Sequence, residues 1–99
     1  MPMRKQAVLK LLQAHKPEIV RRFVVQRLAV FGSTARDEAG DDSDVDVLVE
    51  FEGAPTFDRY MGLQAYLENL LGTGIDLVTP SAIRPRMRQS IEKELVDVA

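Results

Sequence analysis

Cysteine is missing from this chain, and so is tryptophan. Without a thiol there is no disulfide framework, no thiolate metal site and no cysteine nucleophile. One histidine, His15, is too few for a histidine-built zinc centre and a poor basis for a Ser-His-Asp triad, and it reads as an ordinary residue at a helix end. No apolar run nears the roughly 18 residues that cross a bilayer, and no secretory signal opens the chain, so a cytoplasmic protein with no membrane partner is expected. Lys and Arg total 13 against 15 Asp and Glu, a net charge of −2. That balance argues against direct nucleic-acid binding, which draws on a cationic surplus. No repeat, low-complexity tract or linker divides the 99 residues, so one domain spanning 1–99 is expected, with a single core.

What is present is a set of short apolar segments broken by turns. Met3 to His15 has helical spacing through Val8, Leu11 and Leu12, and Pro17 suits the first turn of a second short helix carrying Ile19, Val20 and Phe23. Val24-Val25 and Leu28 to Phe31 read as a strand that Gln26 and Arg27 interrupt. Gly32 ends it, Ser33 reads as an N-cap, and Thr34 to Glu38 gives about one helical turn before the polar loop Ala39 to Ser43. Asp44 to Phe51 is the clearest strand, with Val45, Val47, Val49 and Phe51 alternating against Asp44, Asp46, Leu48 and Glu50. Phe57 to Leu71 reads as an amphipathic helix with Phe57, Tyr60, Met61, Gln64, Leu67 and Leu71 along one stripe, ended by Gly72 and Gly74. Ile75 to Val78 is a short strand stopped by Pro80, and Arg84 to Val96 a last helix. The class is α/β or α+β, a small sheet flanked by helices.

Chemistry concentrates in three acids and a turn. Asp44 and Asp46 lie on one strand face, about 6.6 Å apart along the chain, and Asp76 recurs inside the independent run Ile75-Asp76-Leu77-Val78. Two carboxylates about 5 Å apart repel by roughly 3 kcal/mol at an effective dielectric near 20, a cost a cation relieves. Aspartates without histidine suit Mg²⁺, singly or as two ions bridged by carboxylates. An Asp-x-Asp alone is equally a solvated strand face, and a Gly-Ser turn alone is an ordinary strand-to-helix connection. Their combination, with Asp76, favours a metal-held nucleoside triphosphate, its phosphates at Gly32 and Ser33. Arg36 is placed to reach phosphate oxygens or to pair with a surface acid. Asp42, Asp44 and Asp46 mimic the start of a calcium loop, but Val47 and Gly53 occupy the positions where that loop needs Gly and Glu. No Gly-Lys-Ser/Thr follows the turn, which excludes a Walker P-loop.

Gly32-Ser33, ten intervening residues, then Asp44-x-Asp46 resembles the signature of the minimal nucleotidyltransferases, which include the MntA-type antitoxins, in the polymerase-beta-like nucleotidyltransferase superfamily. The likeness runs through Phe31 to Arg36 and Ser43 to Val49, and Asp76 falls at that family's third acid. The resemblance implies a nucleotidyltransferase fold with a small mixed sheet. It also implies two Mg²⁺ ions at Asp44 and Asp46, with Asp76 completing one site, and nucleotide contacts from Gly32, Ser33, Arg36 and Ser43. It implies AMP transfer from ATP to a hydroxyl of a partner protein, the partner being a helical HEPN-type toxin and this chain its antitoxin. Thr34 stands where many relatives carry a basic residue, and Asp37 where glycine is frequent.

Two other readings remain open at this level. One is a catalytically silent module that neutralises such a toxin by covering it. The other is a nucleotidyltransferase acting on a small molecule or an RNA end. The size of the chain leaves little room for an acceptor-binding domain, so the acceptor is expected to arrive as a folded protein surface, met by the Arg84, Arg86, Arg88 cluster or by exposed apolar residues of the Phe57–Leu71 helix. Tyr60 and Tyr66 carry no role beyond packing.

Overall fold

The structure, a computed structural model, describes residues 4–38, 40 and 44–98. Helix α1 (Lys5–Phe23) leads into β1 (Val25–Phe31), the one-turn α2 (Gly32–Ala35), β2 (Val45–Phe51), α3 (Phe57–Leu71), β3 (Ile75–Val78), a 3-10 turn (Pro80–Ala82), α4 (Pro85–Glu94) and β4 (Val96–Asp97). The strands form one sheet in the order β3-β2-β1-β4. β1 runs antiparallel to both β2 and β4, while β2 and β3 are parallel. This is the small mixed sheet with flanking helices that the sequence predicts.

One sheet face carries the core. Val8, Leu12, Ile19 and Phe23 recur at helical spacing along α1, and Leu63, Leu67 and Leu71 do so along α3. Both rows pack on Leu28 and Val30 of β1, Val45, Val47, Val49 and Phe51 of β2, and Ile75 and Leu77 of β3. The outer edge of β3 is closed from α3, where the Tyr60 hydroxyl donates to the Leu77 carbonyl and the Gln64 amide to that of Ile75. Those two bonds satisfy carbonyls that would otherwise invite another strand.

Four expectations are corrected. Pro17 starts no new helix: it sits inside α1, because the buried row from Val8 to Phe23 is one continuous stripe whose packing outweighs the lost backbone bond. The α3 stripe is rotated. Phe57 is 76% exposed and Met61 44%, while Leu63 is fully buried. The last helix ends at Glu94, and Val96-Asp97 instead forms β4, with Val98 buried beside it and its N–H donating to the Leu28 carbonyl at 2.9 Å. Ser33 is not an N-cap: α2 begins at Gly32 with Phe31 preceding it and no side-chain cap. Met3, Ser43 and most of the 39–43 loop lie outside the described residues.

Candidate active site

The face of β2 opposite the core presents Asp46, Leu48 and Glu50 in alternation. In register, Asp46 lies beside Phe31 of β1 on one side and Asp76 of β3 on the other. The parallel pairing of β2 with β3 thus sets two carboxylates from distant parts of the chain side by side. Asp44, exposed just ahead of β2, completes the group of acids.

The local electrostatics show the cost. The Asp46 carboxyl is pushed up from 3.8 to about 6, first by burial, then by the Asp76 carboxylate, by a hydrogen bond shared with Asp76, and by Asp44; the positive charge of Arg36 pulls the other way. Repulsion of this kind disfavours the charged form until a cation arrives.

Two glycines make room for the acids. Gly32, at φ +71, carries the chain from β1 into α2, and a Cβ there would strike the Asp46 Oδ2. A Cβ on Gly74 would likewise strike the Asp44 Oδ1. Asp44 therefore lies over one glycine and Asp46 against the other. The first helical bond of α2 runs from the Arg36 N–H to the Gly32 carbonyl at 3.1 Å, so the N–H groups of the turn ahead of it have no carbonyl within the helix to bond. Thr34, next in the turn, is 1% exposed, and its Oγ1 has no hydrogen-bond partner among the described residues.

An all-oxygen set of three aspartates fits Mg²⁺ in kind, and the two glycines leave open the space that the Asp44 and Asp46 carboxylates occupy. As they stand, no group of three or more His, Cys, Asp or Glu side chains forms a ready-made metal cage among the described residues. Asp46 and Asp76 are adjacent in register, and Asp44 lies over Gly74.

A family model for the nucleotidyltransferase domain matches residues 12–98. The chain belongs to the nucleotidyltransferase family. It is similar to the protein adenylyltransferase MntA of Thermococcus cleftensis, with 44% identity over 88 residues and 89% of each chain covered. A solved structure assigned to the minimal nucleotidyltransferases superposes with a TM-score of 0.80 at 35% identity, covering 95% of both chains. More distant in sequence, at 18% identity, a chain of a toxin–antitoxin complex with AMP-PNP shares the fold with a TM-score of 0.71, covering 88% of this chain and 72% of that one.

Within this nucleotidyltransferase, Gly32, Ser33, Asp46 and Asp76 gather at one end of the sheet. Arg36 stands apart. Its Nη1 donates to the Glu94 Oε1 at 2.6 Å and its Nε to the Glu38 Oε2 at 3.1 Å, so it ties α2 to α4 rather than entering the acid group. Two contributors escaped the sequence reading. Gly74 looked like a helix terminator, and Asp44, whose carboxylate it accommodates, lies far from it in the sequence. Glu94, 58 residues from its partner Arg36, left no local signal. Arg88 bonds the Pro80 carbonyl at 3.3 Å. Among the described residues no helix is long and apolar enough to cross a membrane.

Proposed function

We propose that this nucleotidyltransferase is a Mg²⁺-dependent protein adenylyltransferase that moves AMP from ATP to a hydroxyl of a partner protein in the cytoplasm, acting as the antitoxin of a HEPN toxin. The observation that carries the reading is the register pairing of Asp46 with Asp76 beside the Gly32 turn. The adenylyltransferase name of the Thermococcus relative supports it. So does a fold shared with a chain of a complex between a tri-AMPylated Shewanella oneidensis HEPN toxin and its MNT antitoxin, although at 17% identity that likeness speaks to fold alone.

In this reading Asp44, Asp46 and Asp76 would hold Mg²⁺, which when bound supplies positive charge to offset the triphosphate and to make a nearby hydroxyl more acidic. The backbone of Gly32 and Ser33 seats the outer phosphates, since the free N–H groups of the turn favour anions and glycine lets them approach closely. The acceptor oxygen forms a bond to the α-phosphorus, the bond from that phosphorus to the bridging oxygen breaks, and pyrophosphate departs. Asp76, exposed at the rim, accepts the hydroxyl proton. The chain contributes mainly alignment and charge.

The test combines the protein with α-labelled ATP, MgCl₂ and the product of the gene next to its own, which this reading expects to be a HEPN protein. Label on the HEPN protein that disappears with Asp76→Asn, while Mg·AMP-PNP still binds, is the expected outcome. A tight complex without label would identify a silent binding module, and label on RNA or a small molecule would reassign the acceptor.

A further inference from the structure

Helix α4 buries no side chain of its own. It lies over the acid-bearing face, across a cleft of about 230 Å³ from Leu48 and Glu50. Near its start Arg88 donates to the Pro80 carbonyl at 3.3 Å, and its last residue, Glu94, accepts from the Arg36 Nη1 at 2.6 Å. The second bond joins α4 to the turn that begins at Gly32. The Arg36 N–H donates to the Gly32 carbonyl at 3.1 Å, so Arg36 stands one helical turn, about 5.4 Å along the axis, from the glycine against which Asp46 lies. Its Nε donates to the Glu38 Oε2 at 3.1 Å, and its Nη2 bonds none of the described residues. Two carboxylates thus share one guanidinium, and the trio is net negative.

We infer that Glu94 is a positioning residue for the nucleotide: while the site is empty it holds Arg36 away from the acids, and the outer phosphates of a triphosphate draw Arg36 from it. This rests on the nucleotidyl-transfer reading above, which seats those phosphates at Gly32 and Ser33. A net negative trio beside that seat repels a triphosphate, and the loss of one carboxylate leaves Arg36 and Glu38 neutral together. A phosphate carries more charge than a carboxylate and accepts the same planar fork. It competes here with a pair whose side chains are 44% and 32% exposed, where water weakens the attraction. Glu38 is not the partner given up. It lies two residues from Arg36, and its own N–H donates to the Ser33 carbonyl at 2.8 Å, so it moves with the turn. Glu94 stays with α4 and with β4, which β1 holds through Ala29 opposite Asp97 and Val30 opposite Val96.

Chemical shifts of the isotope-labelled protein, titrated with Mg·AMP-PNP and with AMP, test this. In the unmutated chain Mg·AMP-PNP should move the Gly32 and Ser33 amides, the Arg36 Nε–H and the Glu94 carboxyl carbon together. AMP, which lacks the outer phosphates, should leave the last two in place. Glu94→Gln keeps the shape without the charge and should tighten Mg·AMP-PNP binding by about threefold at low salt, the scale of a part-exposed ion pair. In an Arg36→Gln background the same substitution should gain nothing. A gain that persists without Arg36 would be the plain removal of a negative charge and overturns the inference. Looser binding by Glu94→Gln also overturns it, since the pair would then belong to the loaded state. So does a Glu94 carboxyl that stays in place while Gly32 and Ser33 shift, a result the unmutated chain gives whether or not the variants fold. If Mg·AMP-PNP moves no signal at all, the nucleotidyl-transfer reading fails and the inference with it.

Discussion

On one side of β2, Val45, Val47, Val49 and Phe51 meet the leucines and isoleucine of two helices; on the other, Asp46, Leu48 and Glu50 meet a second aspartate, a cleft and water. The same seven residues serve both faces, so one backbone register fixes both. The core face gains stability from every neighbour it has. On the acid face, by contrast, Asp46 loses hydration and faces like charge, which raises its proton affinity. Burial on the first face supplies the stability against which the second can hold groups that repel, the arrangement expected of a site built for a cation.

If this division is right, substitutions on the two faces should separate activity from stability. Asp46→Asn keeps the shape but removes one charge. Transfer should fall by about 10³-fold, roughly 4 kcal/mol of barrier, while the metal-free protein melts at a higher temperature near pH 8. Leu67→Ala should do the reverse. Leu67 is fully buried beneath the sheet, so its truncation should cost about 2–5 kcal/mol by denaturant titration, with Mg·AMP-PNP affinity of the folded fraction unchanged. A destabilised Asp46→Asn would show the acid face to be structural.

The pH dependence sharpens the contrast. Because Asp46 is raised in the folded state, from 3.8 to about 6, the fold holds its proton more tightly than the unfolded chain does. The resulting stability is complete below about 4 and drains away as pH rises through 6. Asp46 keeps part of its hydration, so the loss is less than the full 1.36 kcal/mol per unit, roughly 1–2 kcal/mol in all. Asp97, lowered by its hydrogen bond with Arg27, acts in the opposite sense, and only below its usual range, so the windows do not overlap. Added MgCl₂ should then raise the melting temperature more at pH 8 than at pH 5. Equal gains at both would separate cation binding from Asp46.

Legibility in the sequence follows the same division. β2 was readable because alternation over seven residues has no helical counterpart, and α3 because apolar residues recur at helical spacing and Gly72 ends it, at φ +68; the Thr56 cap, which accepts from the Arg59 N–H, was not read. The Gly32-Ser33 turn and the acids were readable as a motif. What was lost needed partners remote in sequence. Pro17 looks like a break until the sheet beneath α1 is known, and β4 exists only because β1 offers an edge. The orientation of Phe57 and Met61 depends on α3 turning its leucines inward and Tyr60 and Gln64 toward β3. Asp37 is a partial exception: the sequence reading expected glycine at that position, and the structure sets Asp37 at φ 58, in the left-handed region. Aspartate tolerates that region, here with its Oδ1 accepting the Lys5 backbone N–H at 3.1 Å. Whether Arg36 serves phosphate or only the Glu38 and Glu94 carboxylates could not be read from its neighbours in sequence, since Glu94 comes from the far end of the chain.

The smallest expected effect probes the seam between the faces. Thr34 belongs to the one-turn helix α2 but points inward, 1% exposed, its hydroxyl without a partner among the described residues. A buried hydroxyl without a partner costs about 1–3 kcal/mol relative to a satisfied one, and valine has nearly its shape. Thr34→Val should therefore raise stability by about 1 kcal/mol or less, a few degrees in melting temperature for a domain of this size. Because the hydroxyl faces the interior, Mg·AMP-PNP affinity should not change. A stability gain with weakened nucleotide binding would mean that the turn rotates Thr34 outward when phosphate arrives, and the line between a face that stabilises and a face that binds would then run through α2 itself.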